Sequence, residues 1–385
     1  MGHDAILDAI VVGGGPAGST AARLLAARGL RVAAFEASSL PRVKPCGGAL
    51  TTRTLALLPP GYEALVQSSP RRFTFAAGAQ SATVEADGPY CHTVLRAPFD
   101  HWLWQEAASA GAEMHEAEGV TAIHPGEGEA VHEISTARAV YRSRYLIGAD
   151  GAKGLTAKTL GLRTVERGAA MEVEAAVPAM LYDRYADRCE VELTDTPWGY
   201  AWVIPKADGV LNVGVGSFRP GRLRLRERLE RYLAPFPAKG PVLAHPLPFR
   251  WRAGSAVRGR TLLAGDAAGL MDPFSAEGIH HALVSGTWAA ECVADALQGQ
   301  PLLAYDRRLS ASLWPMHGQA AMMARLVYPL AGFWSSVFLD DQELIVRYLD
   351  VALGRGDYTD LVAATRRSLI THRGRALFRR RPSPA

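Results

Sequence analysis

Residues 9–36 place a glycine turn between two short apolar runs and close the second run with an acid. Ala9-Ile10-Val11-Val12 leads into Gly13-Gly14-Gly15-Pro16-Ala17-Gly18. A short apolar run bounded by glycine reads as a buried strand. Ser19 to Arg28 is rich in Ala, Leu and Arg, a helix composition, and Gly29 stops it. Leu30 to Phe35 reads as a second strand, closed by Glu36. Gly13, Gly15 and Gly18 fit G-x-G-x-x-G. The first allows the tight turn, the second lets a pyrophosphate approach the backbone, and the third lets the helix pack closely on the strand. Alone the motif is a weak signal; strand, turn, helix, strand and acid in that order predict dinucleotide binding. The turn from Gly13 through Ala17 would offer phosphates the free N–H groups of a helix start. Glu36, eighteen residues past Gly18, can accept both ribose hydroxyls of an adenosine. Its charge argues against a 2′-phosphate, which leaves FAD or NAD.

Two later segments separate these. Arg144 to Ala149 is strand-like and ends in Gly148-Ala149-Asp150-Gly151; Thr261 to Ala264 ends in Gly265-Asp266-Ala267-Ala268-Gly269. A simple NAD fold needs no second strand-end Asp so far along the chain. A long FAD does, because a carboxylate there can bind a ribityl hydroxyl. The plainer reading of Gly-Asp-Ala-Ala is a strand end followed by a helix N-cap.

GGGPAG with Glu36, the Gly-Ala-Asp-Gly run and Gly265 to Gly269 together resemble the FAD-dependent reductases and monooxygenases of the p-hydroxybenzoate hydroxylase fold. Three further stretches resemble the geranylgeranyl reductase family within that group. They are Lys44-Pro45-Cys46-Gly47-Gly48-Ala49-Leu50, Tyr200-Ala201-Trp202-Val203-Ile204-Pro205-Lys206, and Asp272-Pro273-Phe274-Ser275-Ala276-Glu277-Gly278-Ile279. The Cys-Gly-Gly segment is the most specific of them, and Ile204 stands where Phe is common. The resemblance covers residues 5 to about 300. It implies reduction of isolated prenyl double bonds, as in archaeal lipids, menaquinone side chains or the phytyl tail of chlorophylls.

The implied fold is mixed α/β: a Rossmann-like FAD-binding domain, an interleaved antiparallel substrate sheet, and C-terminal helices. Residues 1–70, 92–165 and 255–300 are assigned to the first, 71–91 and 166–254 to the second, and 301–385 to the third. Strand signals fall at Phe73–Phe75, Ala170–Val177, Cys189–Leu193, Tyr200–Ile204 and Val210–Val215. Asp208-Gly209 suits a hairpin turn. His101 to Ala112 reads as a helix with Arg96 just before it. By resemblance Arg96 reaches FAD oxygens; otherwise it is a surface arginine. Val120 is expected to begin a strand that lies against the adenine. Ile279, Ala282, Leu283, Gly286, Ala290, Val293 and Leu297 repeat as one buried helix face. Gly278 and Ile279 would then open a helix aimed at the flavin, where its positive end favours charge on the reduced ring.

A prenyl alkene has no carbonyl to draw electrons, so reduction needs a flavin face, an apolar trough and a proton donor. The resemblance points to Cys46 as that donor and to Gly47 and Ala49 as flavin neighbours; Lys44 would act on the thiol. The plainer role for Cys46 is packing beside a glycine turn. Tyr200 and Trp202 alternate on a strand and face one side, as trough lining or as ordinary core. His280 and His281 are further donor candidates, or simply helix-start residues. No metal-ligand spacing is visible. A flavin monooxygenase or halogenase of an aromatic metabolite is the alternative on the same fold, and a non-enzymatic flavin-binding membrane protein is a third reading. No second glycine fingerprint appears, which leaves transient NADPH, ferredoxin or a quinol as electron donor.

The charge balance, 42 Lys+Arg against 38 Asp+Glu, does not suggest a nucleic-acid binder. Seven arginines follow Asp360, from Arg366 to Arg381, with no acid among them. Leu326 to Leu339 is apolar over fourteen residues but holds Pro329 and falls short of the ~20 needed to span a bilayer. With Tyr328, Phe333, Trp334 and Phe338 it predicts either a helix closing the cavity or docking on an anionic membrane. Four cysteines without a CxxC pair and no visible signal peptide predict a cytoplasmic protein, peripheral on the inner membrane face if the tail docks.

Overall fold

The computed structural model describes residues 5–126, 131–162, 166–221, 223–236 and 240–379. Arg380 and Arg381 of the predicted basic tail lie outside the described residues, as do the side chains of Arg373, Arg375 and Arg379.

Ile6–Val12 is the centre of an eight-stranded sheet. Val32–Phe35 pairs with it in parallel on one side and Val140–Gly148 on the other. Thr261–Leu263 adds a further parallel strand beyond Val140–Gly148. Ala9, Ile10 and Val11 are fully buried, as a parallel strand covered on both faces requires. The helices Pro16–Ala26 and Ile279–Leu297 pack together over one face. Register then does something functional. Val12 sits opposite Gly148, and Gly148 opposite Leu263. Three strands therefore end level, and the glycine turn, Asp150 and Asp266 project from one edge. That carboxyl edge is where open α/β sheets take ligands.

A second sheet has seven strands, all from residues 72–85 and 166–249. Its pairs are antiparallel except Arg188–Glu192, which runs parallel to Arg72–Ala77. The Asp208-Gly209 turn joins Gly199–Pro205 to Val210–Ser217, and both turn residues have positive φ (56° and 74°). A three-stranded sheet not anticipated from the sequence joins Ala49–Leu50, His92–Val94 and Val66–Ser68.

Two element boundaries differ from the sequence reading. The predicted 101–112 helix begins at Arg96 and ends at Ser109. Pro98 is tolerated in its first turn, where backbone N–H groups have no helical partner, and Arg96 pairs with Asp100 one turn on. Val120 precedes its strand, which runs Ala122–His124, and the Thr121 N–H bonds the Ser135 carbonyl of the neighbouring strand His132–Ser135.

The C-terminal helices pack on the edge of the second sheet. Phe338 stacks on Phe75 with centroids 4.9 Å apart, and the buried Tyr358 hydroxyl donates to both Asp272 oxygens at 3.0 and 2.9 Å. The helical run Leu313–Asp340 spans 28 residues and, by length and composition alone, is apolar enough to cross a membrane. It exceeds the fourteen-residue reading because it begins at Leu313, before Arg325. Of its most apolar stretch, 44% is buried inside the protein.

Candidate active site

A cavity of ≈ 770 Å³ lies between the level strand ends of the first sheet and the inner face of the second. That is within the usual range for small-molecule sites. It is lined by Gly13, Gly15, Ala17, Glu36, Cys46, Gly47, Ala49, Arg96, Val120, Asp150, Asp266, Gly278 and Ile279, with Tyr200 and Trp202 opposite. Of the predicted site residues, Gly18 and Gly265 are not on the wall. Gly18 serves packing, as its place in the motif predicts: a Cβ there would stand 1.9 Å from the Gly13 carbonyl oxygen. Gly265 is buried, with φ 57°, in the short 3-10 turn Gly265–Ala268. That turn replaces the α-helix N-cap the plainer reading implied. The later helix starts at Ile279 with Gly278 as its cap.

The glycine turn opens with Gly13 at φ 109°, and a Cβ there would meet the Ala149 carbonyl oxygen at 2.2 Å. Glu36 holds the turn from below. Its carboxylate accepts the Gly14 and Ser38 N–H groups, each at 3.0 Å, and meets Arg42 Nε at 3.2 Å. Asp150 spends one oxygen on Thr156, at 2.8 Å to the N–H and 2.9 Å to the hydroxyl. Its other oxygen is buried at the cavity wall and has no hydrogen-bond partner among the described residues. Burial raises the Asp150 pKa. A buried orphan acceptor beside a glycine turn is what a polar ligand with hydroxyl donors would satisfy. FAD fits this site: room for a pyrophosphate at the turn, an acid at the ribose position and a waiting acceptor farther along.

Asp266 lines the cavity with one oxygen already engaged. Its Oδ2 takes Lys44 Nζ at 2.9 Å. Burial pushes its pKa up, but Lys44 outweighs that and the net shift is downward. Lys44 is therefore committed to Asp266 and not to the Cys46 thiol. Arg96 is buried and not a surface residue. It grips Asp100 with Nε and Nη2 at 2.8 and 2.9 Å, and also interacts with the Cys46 side chain. Burial works against its charge, and Asp100 and Cys46 prevail.

The Cys46-Gly47-Gly48 loop is held from three sides. Glu172 Oε1 accepts the Cys46 N–H at 2.7 Å. Lys206 Nζ, on a residue 1% exposed, donates to the Gly47 and Val94 carbonyls at 2.6 and 3.0 Å. Gly48 has φ 64°, and a Cβ there would stand 2.1 Å from the Val94 oxygen. Tyr200 and Trp202 stand across the cavity, centroids 5.9 Å apart and edge-on. Tyr200 donates to the Ser275 carbonyl at 2.7 Å, and Trp202 Nε1 to Asn212 Oδ1 at 2.6 Å. Gly214 leaves the space the indole fills, since a Cβ there would be 2.1 Å from the ring.

His280 and His281 do not reach the cavity. The His281 ring packs on His317 of the helix Leu313–Val327 at 5.1 Å, and the His280 ring packs on His281. Burial depresses both, His280 to about 3 and His281 well below its usual value. Glu277 Oε1 accepts the His280 N–H at 3.1 Å, so one donor of the helix start is already used.

Glu172, Lys206 and Asn212 were not singled out from sequence. Lys206 closes the Tyr200 to Lys206 motif without an assigned role. Glu172 and Glu174 alternate in the strand Glu166–Ala176 and Asn212 interrupts an apolar strand; a polar residue facing a core was the available signal. Burial lifts Glu172 to about 7, with Glu174 adding and the Cys46 N–H, Asn212 and Lys206 opposing.

An FAD binding domain model matches residues 7–212. The chain is 30% identical over 359 residues to a chloroplastic geranylgeranyl diphosphate reductase of Oryza sativa subsp. japonica, covering 83% of this chain and 74% of that protein. It is 31% identical over 342 residues to a menaquinone reductase of Mycobacterium tuberculosis (strain H37Rv), covering 82% and 80%. A solved geranylgeranyl bacteriochlorophyll reductase-like protein from Thermoplasma acidophilum shares the fold, with TM-score 0.77, 23% identity and coverage of 94% of this chain and 99% of that one.

Proposed function

The chain belongs to the geranylgeranyl reductase family of FAD-dependent oxidoreductases, and on that premise we propose that it saturates isolated C=C bonds of a prenyl lipid or prenylquinone. The observation that carries this reading is the clamped Cys46-Gly47-Gly48 loop facing Tyr200 and Trp202 across one cavity with the glycine turn. The division of labour follows the two sheets: residues 1–70, 92–165 and 255–300 hold the cofactor, 71–91 and 166–254 the substrate, and 301–385 close the cavity and dock.

Bound FAD, once reduced, supplies the hydride. Gly13, Gly15, Ala17 and Glu36 hold the dinucleotide end. Asp150 and Asp266 offer acceptors along the chain toward the ring, and Gly278 and Ile279 bring a helix start to it. Phe73, Met271, Leu247 and Leu349 give the substrate side apolar walls that exclude water. Tyr200 and Trp202 are fixed by their own hydrogen bonds and so orient a flat alkene without moving. Cys46 stands at the reacting face.

The test is single-turnover chemistry. The purified holoenzyme is reduced anaerobically with dithionite and mixed with polyprenyl phosphates, menaquinones or aromatic acids. Products gaining two hydrogens per bond are expected with the prenyl compounds. Reoxidation only when oxygen is admitted would reject the reductase reading in favour of oxygen chemistry. Cys46→Ala is expected to keep FAD and slow reduction by about tenfold or more; full-rate turnover would remove Cys46 from the site.

The lipid must also be reached. Met322, Leu326, Leu330 and Phe333 are 46%, 41%, 57% and 41% exposed. Met322 and Leu326 lie one turn apart on the helix Leu313–Val327, and Leu330 and Phe333 follow at the turn into the next helix Ala331–Asp340. This apolar patch docks on an anionic membrane face, aided by basic residues such as the exposed Arg366. Burying a Leu or Phe side chain is worth about 1.5–3 kcal/mol. The double variant Leu330→Glu, Phe333→Glu is thus expected to reduce co-sedimentation with phosphatidylglycerol vesicles at least about tenfold. Undiminished sedimentation would reject docking through this patch.

A further inference from the structure

Glu172 is the group whose chemistry the site has not yet used. It sits mid-strand in Glu166–Ala176, is 3% exposed, and lines the cavity beneath the Cys46 loop. A carboxyl there is costly to bury charged. The strand could have carried an apolar residue, as Val173 does on the opposite face.

Its surroundings form a closed polar set. From the loop comes the Cys46 N–H at 2.7 Å. From the strand Val210–Ser217 comes Asn212, whose side chain also accepts Trp202 Nε1 and donates to Glu174 Oε1 at 3.0 Å. The facing charges are Glu174 on its own strand and Lys206 beyond Gly199–Pro205. His245, on the neighbouring strand Leu243–Phe249, lines the same cavity and is held neutral by burial, with a pKa of about 4. Lys44 is turned away onto Asp266. Glu172 is thus the acid at this wall whose neighbours suit both protonation states. Its burial favours the neutral form, while the Cys46 N–H, the Asn212 amide and the nearby Lys206 charge favour the anion.

We propose that Glu172 is the carboxylic acid that supplies the proton to the alkene at this wall of the cavity. The step rests on the reductase reading. One alkene carbon receives two electrons and a hydrogen as hydride from the reduced cofactor. The adjacent carbon receives the Glu172 proton. The π bond breaks, two C–H bonds form, and Glu172 is left as a carboxylate that water reprotonates. The Cys46 N–H bond to Oε1 ties the acid to the loop and so keeps the reacting face and the proton in register.

The sign of the pH effect is fixed. The folded-state pKa of about 7 is raised above the usual value near 4.5. The acid is therefore fully protonated at low pH and loses its proton as pH rises through 7, so the reduction rate falls on that limb.

Two measurements separate this inference from the reductase reading. The first needs no substrate. Infrared titration of the holoenzyme should show a buried carboxylic-acid carbonyl band that disappears as pH rises through about 7. The band should be missing in Glu172→Gln, whose amide oxygen can still accept the Cys46 N–H. The second is the pH profile of single-turnover reduction. Glu172→Gln should reduce about 100-fold more slowly and lose the limb near neutrality, whereas Cys46→Ala should keep that limb. Should Glu172→Gln fail to retain FAD, Glu172→Asp takes its place, with the band and limb both moved from the wild-type position. No titrating band, or an unchanged limb in the Glu172 variants, overturns the proposal even if prenyl reduction is confirmed. A titrating band with no prenyl turnover would leave Glu172 a buried acid and reject it as the donor to an alkene.

Discussion

A Gly18→Ala protein is expected to purify without FAD. The added methyl would stand 1.9 Å from the Gly13 carbonyl oxygen and 3.2 Å from the Ala149 Cβ. The first of these is backbone, so no side-chain rotation relieves it. The helix Pro16–Ala26 would have to move off the strand Ile6–Val12, and it has nowhere to go. On its far side Gly286 lets the helix Ile279–Leu297 approach so closely that a Cβ there would be 2.4 Å from the Ala17 oxygen. Overpacking of this kind costs about 1–3 kcal/mol and sometimes more. The displacement falls on the turn that cradles the pyrophosphate, so FAD affinity should drop by about 100-fold or more. Flavin absorbance per protein and thermal unfolding measure both effects. Gly29→Ala is the control. Gly29 has φ 76° but nothing within 4 Å. It should cost only about 1–2 kcal/mol of backbone strain and keep its flavin. Equal flavin content in the two variants would refute this account of the turn.

Lys206→Met should unclamp the Cys46 loop. The ammonium is a buried charge whose pKa is lowered by desolvation, with Glu174, Cys46, Cys91 and Glu172 supporting the charged form. Its two acceptors, the Gly47 and Val94 carbonyls, belong to segments 47 residues apart in the chain. Methionine fills the volume and removes both bonds. Each carbonyl left buried without a donor costs about 1–3 kcal/mol. A fall of about 2–6 kcal/mol in unfolding free energy is expected, read by chemical denaturation, along with near-complete loss of reduction. Lys206→Arg should not rescue it, because Gly48 already approaches Nζ so closely that a Cβ there would be 3.0 Å away. A denaturation midpoint within error of wild type would show that the loop is held by other contacts.

Much of the cofactor half could be read from local sequence. Strand, glycine turn, helix and acid lie within residues 6–36, and each part acts on its near neighbours. Gly13 and Gly18 are glycines because of one another, five residues apart. The strands of the second sheet were likewise visible as short β-branched and aromatic runs. Arg96 and Val120, expected at the FAD, both line the cavity, but their local elements begin a few residues from where the sequence put them. The site's polar chemistry was hidden. Glu172, Lys206 and Asn212 sit in strands whose apolar pattern they interrupt, and a single interruption has no direction in a sequence. His280 and His281 failed for the same reason in reverse: two titratable residues at a helix start looked functional, but neither lines the cavity, and His281 is buried against His317.

Sequence by itself determined that this chain binds a dinucleotide and, through the Cys46 and Tyr200 motifs, which family it joins. Only the tertiary structure decided which carboxyl holds the loop, which lysine clamps it, and that Lys44 serves Asp266. The reason is physical. Steric demands of a turn are settled within a few residues, whereas the cost of burying a charge depends on partners brought in from strands more than a hundred residues away, such as Glu172 against Cys46 (126 residues apart) and Lys206 against Gly47 (159).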